Sequence, residues 1–294
     1  MSTTTHIEWT DTTWNPVVGC TRVSAGCDHC YAVRQTHRLE TMHHAAYRHL
    51  TVLNRKGDRH FNGTVNCRPE RLSDPLHWRK PRRVFVNSMS DLFHEKVPVT
   101  FIRAVFKVMG EAKQHTFQIL TKRPERMAEV TLDFHRHGDF CTREGQDGFY
   151  PFANVWLGTS CEDQKTAEER IPHLLRCPAA LRFLSCEPLL GPINLGRGVG
   201  GDVWRQSRGV RWVIVGGESG PGARPCNIEW IRSIVAQCRV PGRRCFVKQF
   251  GSKPYDPGWH GHGTPEGSPM RLNDRKGGDP HEWPLDLRVR EYPA

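Results

Sequence analysis

The chain has 294 residues, 37% of them hydrophobic, and 42 Lys and Arg against 31 Asp and Glu give a formal net charge of +11. That hydrophobic share argues against a disordered chain, no run approaches the roughly 18 apolar residues of a membrane span, and the polar N-terminus lacks the apolar stretch of a signal peptide. A soluble, cytoplasmic protein without a membrane partner is expected, and the positive excess favours a polyanionic partner, nucleic acid above all.

The first motif is the run G-C-T-R-V-S-A-G-C-D-H-C-Y, which places Cys20, Cys27 and Cys30 in a C-x6-C-x2-C spacing with no fourth cysteine close by. Three thiolates can hold three irons of a [4Fe-4S] cluster and leave the fourth iron open, whereas closed clusters and many structural zinc sites use four ligands. Zinc stays an alternative, with His29 or a distant cysteine as fourth ligand. Eleven cysteines without an export signal argue for reduced thiols rather than a disulfide framework.

Residues 31–50 then predict a helix, free of Gly and Pro. Six short apolar runs follow, at 84–86, 117–120, 155–158, 181–184, 212–215 and 245–247, each ending in polar residues. Between them, helices are predicted over 99–113, 124–131, 164–176 and 227–239, the last with Asn227 as its N-cap. Short buried strands alternating with helices predict an α/β fold with a parallel sheet, as a partial or complete (β/α) barrel; an open doubly wound sheet is the other arrangement. Residues 1–250 read as the barrel with its cysteine loop, and 251–294 as an irregular extension packed on it. Loops are expected over 133–150 and 194–210, and the pairs His43-His44 and His260/His262 read as surface.

In parallel barrels the site forms at the C-terminal ends of the strands. That rule singles out Ser88, Ser90 and Asp91 after the first run, Lys122 after the second, and Ser160 and Glu162 after the third. Glu187 follows the fourth run, Glu218 and Arg224 the fifth, and Lys248 and Gln249 the sixth. Each also has a structural reading: Ser88 and Asp91 as caps or strand ends, the glutamates as partners of Arg182 or Arg224, and Lys122 as a solvated charge. The densest basic clusters are Arg79, Lys80, Arg82 and Arg83, and Lys122, Arg123 and Arg126.

The phrases I-E-W-T-D-T-T-W-N-P-V-V-G-C (7–20), S-D-L-F (90–93), L-T-K-R-P (120–124), F-L-S-C-E-P-L-L-G-P (183–192), V-G-G-E-S-G-P-G-A-R-P (215–225) and V-K-Q-F-G (247–251) accompany the cysteines and Tyr31-Ala32. On these the chain resembles a phage-encoded and bacterial three-cysteine-motif family of unassigned function, and more distantly the radical S-adenosylmethionine enzymes. The wider resemblance implies a radical-SAM-type barrel and a [4Fe-4S] cluster on Cys20, Cys27 and Cys30. It further implies reductive cleavage of S-adenosylmethionine to a 5′-deoxyadenosyl radical, which abstracts hydrogen from a substrate; the basic charge and the phage-like resemblance point to a nucleotide or nucleic acid as that substrate. A flavodoxin- or ferredoxin-like protein would supply the electron. Ser88, Ser90 and Asp91 would meet the cofactor's amino group and Lys122 its carboxylate, with Ser160, Glu187, Glu218, Arg224 and Lys248 as further contacts. The chain departs from that pattern in its six-residue first gap, in His29 where an aromatic residue is common, and in Gly216-Gly217-Glu218 near the fifth run instead of the second. The alternative is a non-enzymatic zinc- or cluster-stabilised nucleic-acid-binding protein or redox sensor.

Overall fold

The computed structural model describes residues 5, 7–137, 151–196, 209–239, 242–257 and 269–293. Most of the two expected loops, part of the C-terminal extension, and His260 and His262 therefore lie outside the described residues. The chain divides into two compact units, 1–159 with 173–181 and 160–172 with 182–294.

Four parallel strands build the first unit in the order β1 (Thr12–Trp14), β6 (Arg83–Val86), β7 (Thr116–Thr121) and β8 (Val155–Ser160). Parallel neighbours need a crossover, and the helices α2 (Val99–Glu111) and α3 (Pro124–Arg136) supply it. In α2 the residues Ile102, Val105, Phe106 and Met109 are buried, a spacing that puts them on one face. The strands are buried nearly throughout, as sheets covered on both faces require.

Before β6 the chain forms a smaller layer. It holds β2 (Val17–Val18), α1 (Tyr31–Thr41), the antiparallel hairpin of β3 (Thr51–Leu53) and β4 (Arg59–Phe61), and β5 (Asn66–Cys67), which pairs with β2. The helix predicted over 31–50 ends at Thr41, because His43 takes a left-handed φ of 57° that stops it. A single 3-10 turn, Ala45–Tyr47, follows. The helix predicted over 124–131 instead continues to Arg136, burying Phe134 three residues past Thr131.

The second unit contains the parallel strands β9 (Leu181–Cys186), β10 (Val210–Gly216) and β12 (Arg244–Gln249). The helix α4 (Gln164–Arg176) precedes β9. The helix α5 (Ile228–Gln237) runs between β10 and β12, and the expected Asn227 cap is present, accepting from the Glu229 amide at 2.9 Å. Two short strands, β11 (Cys226–Asn227) and β13 (Pro254–Tyr255), pair beside it. The last residues lie along β12: the Val247 amide donates to the Val289 carbonyl at 2.8 Å, and Trp283 stacks on Phe250 with centroids 4.8 Å apart. They cover what would otherwise be an unpaired strand edge. Among the described residues, parallel strands alternating with helices, four in the main sheet of the first unit and three in that of the second, are the α/β arrangement the sequence predicts.

Candidate functional site

Gly19 fixes the entry to the cysteine loop. Its φ is +87°, and a Cβ there would lie 2.1 Å from the Thr64 carbonyl oxygen, so only glycine fits. It also bridges to Ser90 in parallel register, tying the loop to the chain after β6. Cys27 closes a 3-10 turn, and Cys30 immediately precedes α1, its carbonyl accepting from the Val33 amide at 3.2 Å. All three thiols are half-buried and free.

Burial, with the Asp91 carboxylate adding to it and Arg123 opposing, pushes the Cys20 thiol up to about 12. Burial also raises Cys30, and Cys27 lies within electrostatic reach of both Cys20 and Cys30. Two cations stand alongside. Arg123 Nη1 is 3.9 Å from Cys20 Sγ, and Lys122 favours the thiolate of Cys30. Among the described residues no three His, Cys, Asp or Glu side chains are arranged as a ready metal cage. Three soft donors on one loop with cations beside them nevertheless fit a thiolate-bound metal or cluster in donor chemistry, and binding a metal is what lowers such thiols to thiolates.

Asp91 is the hub behind this loop. It is buried, and both oxygens are used. Oδ1 accepts from the Phe93 amide at 3.0 Å and the Thr121 hydroxyl at 2.7 Å; Oδ2 accepts from the Lys122 amide at 3.2 Å and Arg123 Nη1 at 3.0 Å. The carboxylate thus joins the segments that follow β6 and β7. Arg123 carries the linkage onward, donating from Nη2 to the Thr21 hydroxyl at 2.6 Å, next to Cys20. Buried His94 completes the corner. Its Nδ1 accepts from the Lys96 amide at 3.2 Å, leaving the proton on Nε2, 3.0 Å from the Thr21 hydroxyl. Burial and the Arg123 charge hold His94 below its ordinary value, consistent with a neutral ring.

Ser88 and Ser90 stand beside the hub with their hydroxyls engaged. Ser88 donates to Asn15 Oδ1 at 3.2 Å, and Ser90 donates to the Val17 carbonyl at 2.7 Å. Tyr31 donates to the Ser88 carbonyl at 2.5 Å, which anchors the start of α1. The first unit therefore brings together Cys20, Cys27, Cys30, Ser88, Ser90, Asp91 and Lys122. Sequence reasoning counted Arg123 only as part of a basic cluster and not as a site residue, yet it is the residue that joins Asp91 to the cysteine loop. Its signal was the L-T-K-R-P phrase, in which only Lys122 was singled out as a contact.

The remaining candidates lie in the second unit, and their charges are largely paired. Glu162 is buried against Arg170 at 2.9 Å, and the same guanidinium nitrogen donates to the Ser160 carbonyl at 2.8 Å. Glu218 takes the Arg224 amide and Nε on Oε2, both at 2.9 Å, and Nη2 on Oε1 at 2.6 Å. Arg224, one of the two partners considered for the glutamates, is thus paired with Glu218. The pair shapes the glycine-rich turn and leaves Arg224 28% exposed. Gly217 is needed for packing, because a Cβ would lie 2.0 Å from the Phe250 carbonyl oxygen. Glu187 sits 3.1 Å from Lys248 Nζ and accepts from the Ser185 hydroxyl at 3.2 Å, both charged groups remaining partly open to solvent. Gln249 is buried, donating to the Gly217 carbonyl at 3.0 Å.

A family model described as "Protein of unknown function (DUF5131)" matches residues 4–276. The chain belongs to this family. The family's span takes in the cysteine loop, the Asp91–Arg123 corner and every candidate of the second unit. No curated protein and no solved structure matches the chain. No helix among the described residues is long and apolar enough to cross a membrane.

Proposed function

We propose that this family member is an iron–sulfur enzyme of the radical S-adenosylmethionine type, acting on a nucleotide or nucleic acid. The observation that carries the reading is the loop itself: Cys27 within electrostatic reach of both Cys20 and Cys30, with Arg123 beside Cys20, Lys122 acting on Cys30, and Asp91 holding Arg123 in place. Cys20, Cys27 and Cys30 would hold a [4Fe-4S] cluster, whose open iron would take S-adenosylmethionine and supply the electron that cleaves it to a 5′-deoxyadenosyl radical. The chain's own part is electrostatic. Arg123 and Lys122 offset the negative charge that three thiolates place on the loop, and Asp91 keeps Arg123 from turning toward solvent. Ser88, Ser90 and Asp91 are oxygen-bearing residues linked to the loop through Tyr31, Gly19 and Arg123, and Ser160, Glu187, Glu218, Arg224 and Lys248 remain the further candidates for cofactor or substrate. A partial barrel of radical-SAM type and a flavodoxin- or ferredoxin-like electron donor belong to the same proposal.

The test is electron paramagnetic resonance on anaerobically reconstituted, dithionite-reduced protein, with and without S-adenosylmethionine. A reduced [4Fe-4S] signal that changes on adding the cofactor supports the proposal; a signal that ignores it favours a redox sensor. Zinc without iron or sulfide, with the three cysteines intact, overturns the enzyme reading in favour of a metal-stabilised nucleic-acid-binding protein.

A further inference from the structure

We infer that the layer formed by α1 and the β3–β4 hairpin is a docking surface for the phosphate backbone of a nucleic acid. This deepens the nucleic-acid part of the proposed function and names the surface that would receive it. Residues 31–61 contain six Lys and Arg (Arg34, Arg38, Arg48, Arg55, Lys56 and Arg59) against two acids (Glu40 and Asp58), a formal +4 on about a tenth of the chain. Five histidines lie among them.

Both acids are engaged inside the layer. Glu40 accepts from the His49 amide at 2.8 Å and lies 3.7 Å from His37, and Asp58 accepts from Asn54 Nδ2 at 3.1 Å. The cations are not so engaged. Arg34, Arg38, Arg48, Arg55 and Lys56 are exposed, and their side chains form no ion pair among the described residues. Nearby arginines outside the layer are paired, as in Arg22–Asp28, Arg68–Glu70, Arg71–Asp74 and Arg83–Asp11. Like charges left together without counter-charges raise the local potential, the footprint expected of a polyanion site.

The local geometry presents these charges outward. Arg34 and Arg38 are four residues apart on α1, opposite the face that buries Ala32, Val33 and Thr36. Arg55 and Lys56 occupy the hairpin tip, where the Gly57 amide donates to the Asn54 carbonyl at 3.0 Å and Gly57, at φ +85°, faces open space. Around them Met42, Val52 and Leu53 are exposed apolar side chains, and Tyr31 is 48% exposed. The exposed tyrosine ring supplies a face on which a base could stack. The layer is continuous with the cysteine loop: Cys30, Leu39, Ala46 and Phe61 pack on a core of Val18, Ala32, Tyr47, Leu50 and Met89. A strand held on the cations would lie against the element that begins at Cys30.

The experiment is fluorescence anisotropy with labelled single-stranded and duplex oligonucleotides, DNA and RNA, on the full chain across a salt series. Affinity should fall steeply with salt, the logarithmic slope reporting the phosphates neutralised. The variant R34E/R38E/R55E/K56E should weaken binding at least tenfold and flatten the slope, and the milder R34Q/R38Q/R55Q/K56Q should do so in part, with unchanged circular dichroism. The control R79E/K80E should bind within twofold of the wild type. The inference is overturned by no binding at 50 mM salt, by charge-reversal variants that bind like the wild type, or by equal loss in the control. Binding to phosphatidylserine vesicles in place of oligonucleotides overturns it too. Anisotropy reads neither iron nor turnover, so this surface can fail while the cluster signal stands, and the reverse.

Discussion

Replacing Asp91 tests whether it organises the corner behind the cysteine loop. Its side chain is 7% exposed and that of Arg123 13%, so this pair is shielded from water. Breaking a buried pair by removing one partner costs about 3–5 kcal/mol, because the remaining charge stays buried. Asp91→Ala also strips acceptors from the Phe93 and Lys122 amides and the Thr121 hydroxyl, each bond worth about 1 kcal/mol net. Glu95, 3.3 Å from Arg123 on an exposed side chain, recovers a fraction. Since these terms share partners and do not add, the expected loss is about 3–4 kcal/mol. With a urea m-value of about 2–3 kcal/mol/M, the unfolding midpoint should fall by about 1–2 M. Asp91→Asn retains one acceptor oxygen but turns its amide protons toward the donors that Oδ2 served, so it should lose about 2–3 kcal/mol. The sharper measurement is the cycle with Arg123→Met. Removing both partners leaves no unpaired charge, so the double variant should be less destabilised than the sum of the singles by about 1–3 kcal/mol. A loss below about 1 kcal/mol for Asp91→Ala, or strict additivity in the cycle, would refute the hub.

Three further outcomes are expected. Gly217→Ala forces a Cβ to within 2.0 Å of the Phe250 carbonyl oxygen, backbone that cannot swing aside; it should cost about 3 kcal/mol or more, and a wild-type melting temperature would contradict the packing. Trp283→Ala removes a buried ring stacked on Phe250 and a hydrogen bond to the Gly277 carbonyl at 3.0 Å, so thermal unfolding should show a loss of about 3–5 kcal/mol if the C-terminal residues belong to the fold of their unit. Burial holds His115 below its ordinary value, with Nε2 donating to the Pro75 carbonyl at 3.1 Å. A depressed folded-state value means that the unfolded chain binds the proton more readily. Stability is therefore retained above about pH 6.5 and lost as pH falls from there through the folded value. His115→Gln should be less stable at pH 7 yet flatten the stability–pH curve between pH 7 and 5, and parallel curves for the two proteins would show that His115 contributes none of the slope.

Much of the fold was legible because it follows from local patterns. The six apolar runs all fall within parallel strands, since buried strands need continuous apolar stretches whatever their partners. Asn227 announced a helix start because a side-chain oxygen serves the amide two residues on, a wholly local bond. The end of α1 was not legible: nothing between Thr41 and Leu50 is a strong breaker, and the turn there depends on His43 adopting a left-handed conformation that histidine seldom takes. β1 was missed for the same kind of reason, being three residues whose pairing with β6 supplies what their pattern lacks.

For the candidate site, covalent spacing alone places Cys20, Cys27 and Cys30 on one loop and so picks out the proposed donors. Which charge answers which does not follow from spacing. Asp91 and Arg123 are 32 residues apart and Glu187 and Lys248 61 apart, and each pair meets because parallel strands bring their C-terminal ends together. A carboxylate at a strand end can face solvent, a ligand or a cation on the next strand with equal local propensity. Only the packed arrangement decides among these, because it alone sets which cation lies within hydrogen-bond reach once water is excluded.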